Sequence, residues 1–158
     1  MKKRNFFILI IILIIIDQIS KFLVIINEGS FPQELIKGVL ELVYCENKGI
    51  AFGIGQGGTQ IFSIITSIII IAIIFVMCRY YNKIDSRILV GASLLISGGV
   101  GNLIDRIFRL HVIDFIYFKC INFPVFNFAD ICVVIGVIVI GISYLLLDRG
   151  ENVEENNS

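Results

Sequence analysis

Long apolar runs separated by short polar segments dominate the hydropathy pattern of this chain. Each run is roughly 20 residues long, the length that an α-helix needs to cross the hydrocarbon core of a bilayer. Helices also satisfy their own backbone hydrogen bonds, which lipid requires. The pattern therefore predicts four transmembrane helices, at about residues 6–26, 61–78, 88–108 and 126–147.

The segments between the runs predict an outer region and a tail. Segment 27–58 has β-branched and aromatic residues around the turn signal ENKG, which favours a small strand pair on the membrane surface. Segment 109–125 ends in FPVF, where Pro124 favours extended backbone just before the last helix. We expect one membrane domain over residues 1–147 and a polar, disordered cytoplasmic tail at 148–158.

Composition supports a membrane protein and argues against other classes. Hydrophobic residues make up 57% of the 158 residues and charged residues only 16%, with a mean hydropathy of +0.93. A soluble domain of this size could not cover so much apolar surface. The net charge is zero, so nothing in the bulk electrostatics favours nucleic acid.

Basic residues indicate how the chain is oriented. The start MKKRNFF resembles the charged region of a signal peptide, but no small-residue cleavage site follows, so we expect a retained first helix. The positive-inside rule places both termini in the cytoplasm. It rests on two basic groups, before the first run and between the second and third: Lys2, Lys3, Arg4, Arg79, Lys83 and Arg87.

The cysteines and the single histidine do not predict a metal site. Cys45, Cys78, Cys120 and Cys132 lie far apart without C-x-x-C spacing, and His111 has no H-E-x-x-H around it. We therefore expect no metal and no other cofactor. A disulfide between Cys45 and Cys120 requires both to face outward, and four free thiols are the alternative.

Ionisable residues inside the apolar runs cost about 2.5–3.5 kcal/mol each at the bilayer centre, so each one needs an explanation. Asp17 and Lys21 share one helix face, either as a self-neutralising pair or as part of an active site. Asn102, Asp105 and Arg106 recur at spacings of three and four. The glycines before them favour burial against other helices over anchoring at the interface.

Asp114 and Asp130 are the acids that point most directly to chemistry. Asn127 and Asp130 open the last run, where helix capping alone explains an acid. Capping does not explain Asp114, which lies 16 residues earlier among the apolar residues of VIDFI. Two carboxylates meeting in a low-dielectric setting share one proton. Such a pair can activate a water and polarise an amide carbonyl, with Asp130 favoured as the base.

At these residues the sequence resembles the lipoprotein signal peptidases, or signal peptidase II, a family of bacterial membrane aspartic proteases. Five motifs carry the resemblance in order between about residues 6 and 147: DQISK, NKGIAF, GGVGNLIDR, VIDFI and FPVFNFAD. The resemblance implies that Asp114 and Asp130 are the catalytic dyad. It also implies a supporting set that lines the site: Asp17, Lys21, Asn47, Gly49, Asn102, Asp105, Arg106 and Asn127. Ile50 departs from the alanine common in the family.

The resemblance further implies a substrate, a location and an architecture. The substrate is a prolipoprotein whose lipobox cysteine already carries diacylglycerol, and cleavage falls just before that cysteine. The fold is an all-α integral membrane fold of four transmembrane helices with a small extracytoplasmic β-cradle and an interfacial helix. We expect a monomer in the bacterial cell membrane, in contact with lipid, with its active site near the extracytoplasmic face. The family is the target of globomycin.

Three other interpretations compete with this one. A proton channel or transporter would use Asp17, Asp105 and Asp130 as a relay, although 61–78 and 133–142 offer no polar path. A serine-lysine peptidase would need Ser20 and Lys21, which are adjacent in a helix and point to different sectors. A non-catalytic scaffold would use the acids only as caps and anchors.

Overall fold

The computed structural model describes residues 3–48 and 59–155. In that part of the chain, four α-helices accompany one small antiparallel sheet, and short 3-10 turns lie between several of them. The elements in chain order are α1 (Lys3–Ile26), β1 (Gln33–Ile36), β2 (Leu40–Asn47), α2 (Thr59–Arg79), α3 (Ser86–Phe108), β3 (Val112–Phe118) and α4 (Phe128–Glu155). The four predicted apolar runs correspond to the four helices.

Three of the described helices are long and apolar enough to cross a membrane: Arg4–Ile26, Ser86–Phe108 and Phe128–Asp148. The predicted second span corresponds to α2, whose apolar stretch Ser63–Arg79 is shorter than those of the other three helices. The fold is therefore mostly helical, with three candidate membrane spans and a three-stranded sheet.

Helix α3 lies at the centre of the bundle and packs against α1, α2 and α4. Of its apolar stretch 56% is buried, against 22% for α1 and 17% for α4. Glycines bring α3 and α4 together: a Cβ on Gly91 would lie 2.9 Å from the Gly136 carbonyl oxygen, and one on Gly136 would lie 2.8 Å from that of Gly91. The prediction that this small-residue run lies at the bundle interior is confirmed.

The sheet has the order β1–β2–β3, and β3 comes from the segment 109–125, for which the sequence predicted no strand. The predicted strand pair is thus one strand short. The first four residues of β3, Val112 to Phe115, are all buried, so the segment lacks the alternation of apolar and polar residues that marks a half-exposed strand. Asp114 faces Cys45 of β2 across this ladder.

The last helix continues beyond the predicted boundary. Helix α4 ends at Glu155, so residues 148–155 are helical where the sequence predicted a disordered tail. Glutamate and arginine are good helix formers, and extending an existing helix needs no new nucleus. Most of the NKGIAF motif, including Gly49 and Ile50, lies outside the described residues.

Candidate active site

Asp114 on β3 and Asp130 in the first turn of α4 line one groove of about 560 Å³. The sequence separates them by a turn and an extended segment, and an antiparallel bridge between Ile116 and Phe126 brings Asp114 back to the start of α4. Three further polar residues of the predicted set line the same groove: Asn47, Asn102 and Arg106. Its remaining lining is apolar and comes mainly from α4 and the segment before it.

Asp114 is almost fully buried and is held by two side-chain amides. The Asn127 Nδ2 donates to Oδ1 at 2.6 Å, and the Asn47 Nδ2 donates to Oδ2 at 2.8 Å. Burial, helped by the negative charge of Asp130, raises the pKa of Asp114 to about 6, although the amides and Lys21 act in the opposite direction. This carboxyl therefore changes its protonation state close to neutral pH.

Asp130 and Asn127 form a reciprocal cap at the start of α4. The Asp130 N–H donates to the Asn127 Oδ1 at 3.0 Å, and the Asn127 N–H donates to the Asp130 Oδ2 at 3.1 Å. The predicted capping arrangement is confirmed. Because the Asn127 side chain also donates to Asp114, one asparagine both caps the helix and joins the two carboxylates.

Asn102 connects this pair to the interior of the bundle. Its Nδ2 donates to the Asp130 Oδ1 at 2.8 Å. Its Oδ1 accepts from the Lys21 Nζ at 2.9 Å and from the Asn127 Nδ2 at 3.1 Å. Over the described residues, every buried side-chain nitrogen and oxygen has a hydrogen-bond partner, so the network is satisfied throughout.

Behind Asn102 lies an ion cluster made of Asp17, Lys21, Asp105 and Arg109. The Lys21 Nζ lies 3.0 Å from the Asp17 Oδ2 and 2.8 Å from the Asp105 Oδ2, and these three side chains are at most 1% exposed. Arg109 pairs with the other oxygen of Asp105. Asp17 and Lys21 are thus not a self-neutralising pair, because α3 supplies a second carboxylate. Neither of them lines the groove.

The carboxylates of the ion cluster also hold the main chain beside each acid of the groove. The Asp105 Oδ2 accepts from the N–H of Ile113, the residue before Asp114, at 3.2 Å. The Asp17 Oδ1 accepts from the N–H of Ala129, the residue before Asp130, at 3.0 Å. The cluster therefore anchors β3 and α4 at the two points where they carry a carboxylate into the groove.

Arg106 is the cation on the groove side. It lines the groove, and its positive charge is attracted by Asp130 and Asp114. Its Nη1 donates to the Asn102 carbonyl oxygen at 3.4 Å, one helical turn earlier. The structure thus places Arg106 at the carboxylates, where interfacial anchoring was the alternative from the sequence.

Arg109 of the ion cluster and Gln18, which contacts the cluster, were not among the predicted site residues. Gln18 donates through Nε2 to the Asp17 Oδ2 at 3.0 Å and to the Asp105 Oδ1 at 3.3 Å, and its Oε1 accepts from Arg109 at 3.2 Å. The available signals were an amide next to an acid inside an apolar run and an arginine four residues after Asp105. The apolar lining of the groove was also missed, because apolar residues in a membrane helix carry no signal of their own.

Two alternatives from the sequence are resolved by these contacts. The Ser20 hydroxyl donates to the Asp17 carbonyl oxygen at 2.7 Å, and the Lys21 ammonium is engaged by two carboxylates. This arrangement opposes a serine-lysine dyad, in which the amine must take the proton of the hydroxyl. Cys45 and Cys120 are free thiols, as are the other two cysteines.

Known proteins resemble this chain over nearly its whole length. The family model described as signal peptidase (SPase) II matches residues 9–146. A lipoprotein signal peptidase of Fusobacterium nucleatum is 38% identical over 92% of this chain and 89% of its own length. One from Halalkalibacterium halodurans is 41% identical over 92% of this chain and 93% of its own.

Solved structures agree with the sequence relatives. A bacterial membrane enzyme determined by the in meso method at 2.3 Å superposes with a TM-score of 0.82 and 33% identity, covering 94% of this chain and 92% of that one. One determined at 1.9 Å superposes with a TM-score of 0.79 and 33% identity, covering 90% and 94%. With the family match over residues 9–146, these likenesses show that the chain belongs to the signal peptidase II family of bacterial membrane proteases.

Proposed function

We propose that this protein is an aspartic endopeptidase that removes the signal peptide from diacylglyceryl-modified prolipoproteins, with Asp114 and Asp130 as its catalytic dyad. The observation that carries the proposal is the meeting of the buried Asp114 carboxylate and the half-buried Asp130 carboxylate in one groove, joined by Asn127. Neutral amides and main-chain N–H groups are their direct hydrogen-bond partners among the described contacts.

The chemistry follows from two carboxylates that share one proton. Asp130, at the N-terminus of α4, is the anion that takes a proton from a water, and Asp114 is the acid that protonates the scissile carbonyl oxygen. The attacking oxygen then forms a gem-diol. When that intermediate collapses, the C–N bond breaks and the amide nitrogen takes a proton from the dyad. Arg106 offsets the net negative charge of the pair throughout.

The shape of the groove fits a substrate that arrives from lipid. Val134 and Ile135 of α4 line the groove and are 57% and 44% exposed, so the groove is continuous with the apolar outer surface of the bundle. A signal peptide is itself a membrane helix, and its lipidated cysteine is held in the outer leaflet. Entry through this side delivers the bond before that cysteine to the dyad without removing the acyl chains from the membrane.

The same proposal includes a fourth span and an orientation. Helix α2 has 21 residues, which at about 1.5 Å per residue is about 31 Å, close to the ~30 Å hydrocarbon core. Four spans place both termini in the cytoplasm and the sheet outside. Cys120 and Cys78 are both exposed, at opposite ends of the bundle in this scheme. A membrane-impermeant thiol reagent applied from outside should label Cys120 and spare Cys78, and the reverse labelling rejects the orientation.

The decisive experiment measures cleavage of a lipidated precursor by the purified protein in lipid. We expect Asp114→Asn and Asp130→Asn each to lower turnover by about 10²- to 10⁴-fold, the range typical of a lost acid or base. Asp148→Asn, at the other end of α4, is the matched control and should leave turnover unchanged. The same precursor without diacylglycerol should resist cleavage. Retained turnover in either dyad variant rejects the aspartic mechanism.

A further inference from the structure

Lys21 is completely buried and does not line the groove, yet its ammonium contacts the three side chains that link the ion cluster to the dyad. It contacts the Asn102 Oδ1, the Asp105 Oδ2 and the Asp17 Oδ2, at 2.9, 2.8 and 3.0 Å. Asn102 donates to one dyad acid directly, and the two carboxylates hold the residues just before both acids.

From this geometry we infer that Lys21 is a positioning residue of the dyad, which orients the Asn102 amide so that its NH2 group faces Asp130. This inference rests on the proposed function. An amide side chain has one oxygen and one NH2 group. The Lys21 ammonium and the Asn127 Nδ2 both donate to the oxygen, and the charged ammonium is the stronger donor, so the NH2 group of Asn102 is turned toward the Asp130 Oδ1. Turning the amide over would set NH2 against the ammonium and oxygen against the carboxylate, two repulsive contacts.

The charged side chains around Lys21 and Asn102 come from all the elements that pack against this region. Asp17 lies on α1, Asp105 and Arg106 on α3, Asp114 on β3 and Asp130 on α4, while Arg109 neutralises the far oxygen of Asp105. With its two cations and two anions, the ion cluster is neutral. Lys21 could therefore serve only to balance charge, and the experiment has to separate that role from the orientation of Asn102.

Two variants make this separation. Lys21→Met removes both the charge and the charge-assisted hydrogen bond to the Asn102 Oδ1, and leaves the ion cluster with an excess negative charge. The double variant Lys21→Met/Asp17→Asn restores neutrality and keeps an oxygen at residue 17 for the Ala129 N–H, but still lacks the charged donor to Asn102 and retains only the Asn127 amide there. Lys37→Met, in the exposed turn between β1 and β2, is the matched lysine control.

We expect Lys21→Met to lower both Tm and kcat, and the double variant to recover Tm while kcat stays about 10- to 100-fold below wild type, the fold-change for losing a charge-assisted hydrogen bond. KM for the lipidated precursor should be unchanged, because Lys21 does not touch the groove. The acid-side half-activity point should move to higher pH, since the Asp130 anion loses a correctly oriented donor. Lys37→Met should behave as wild type.

Recovery of kcat in the double variant overturns the inference, since charge balance would then be the whole role of Lys21. An unchanged kcat and pH profile in Lys21→Met also overturns it. These outcomes are distinct from failure of the proposed function. Turnover retained in Asp130→Asn rejects the dyad itself, whereas turnover lost in Asp130→Asn and kept in Lys21→Met rejects only the role of Lys21.

Discussion

The dyad and the ion cluster lie on opposite sides of Asn102, and each contains two carboxylates, of which Asp17, Asp105 and Asp114 are buried and Asp130 is half-buried. In the ion cluster, Asp17 and Asp105 face an ammonium and a guanidinium. In the dyad, the direct partners of the carboxylates are amides and main-chain N–H groups. Asp114 is as deeply buried as Asp17 and Asp105, so burial alone does not distinguish a structural acid from a chemical one. The distinction lies in whether a cation in direct contact neutralises it.

This difference has an energetic side. A buried carboxylate paired with a cation is costly to remove, because its partner is left charged and desolvated. Two like charges held by amides repel each other, so neutralising one of them relieves that repulsion. Substitutions in the ion cluster should therefore mainly lower the stability of the protein, and substitutions in the dyad should mainly lower its activity.

Asp105→Ala should have the largest effect on stability. It leaves the buried Lys21 with Asp17 as its one described carboxylate partner, removes the carboxylate that pairs with Arg109, and removes the acceptor of the Ile113 N–H. We expect a loss of about 3–5 kcal/mol of unfolding free energy, the range for breaking a buried ion pair. Thermal unfolding in detergent measures it, with Asp130→Asn as the comparison that keeps its fold. Equal melting temperatures for the two variants would contradict the division between the regions.

Gly101→Ala should disturb the ion cluster from its other side. A Cβ on Gly101 would lie 2.5 Å from the Asp17 Oδ2, and that carboxylate is fixed by Lys21 and by the Ala129 N–H. The expected cost is about 1–3 kcal/mol, as for other overpacked buried sites. Gly141→Ala is the control, because a Cβ there meets nothing within 4 Å. A melting temperature at or above wild type in Gly101→Ala would show that Asp17 can move.

The proton on Asp114 should make the stability of the protein depend on pH. The pKa of Asp114 is raised to about 6, so between its unfolded value of 3.8 and 6 the folded state binds more protons than the unfolded state. Stability from this group therefore increases as pH falls through 6. We expect the Tm of wild type to rise by a few degrees relative to that of Asp114→Asn between pH 8 and pH 5. A constant difference across that range would argue against a proton on Asp114.

The smallest effect should come from an ion pair on the sheet surface. Lys119 bridges Glu34 and Glu41, and all these groups reach solvent. Exposed pairs of this kind contribute little because water and salt screen them. We expect Lys119→Met to change Tm by less than about 3 °C. A larger drop would mean that the sheet depends on this pair for its order.

Local features of the site could be predicted from the sequence, and contacts between distant elements could not. The cap formed by Asn127 and Asp130 follows from residue types three positions apart, so it was predictable. The contact between Lys21 and Asp105 joins residues on two helices, and helical spacing could reveal only the Asp17 partner. The sequence did not predict the strand that carries Asp114, because a strand buried on both faces lacks the alternation of apolar and polar residues.

Asp130 has two roles, as the proposed catalytic base and as the cap of α4, and both depend on the same carboxylate oxygen. The same Oδ2 that belongs to the proposed base accepts the Asn127 N–H and so stabilises the first turn of the helix. A charged carboxylate accepts that bond more strongly than a neutral one, so each proton that arrives on Asp130 loosens the helix start, and each departure tightens it. In the proposed mechanism, proton transfer to Asp130 and the stability of the first turn of α4 are therefore coupled.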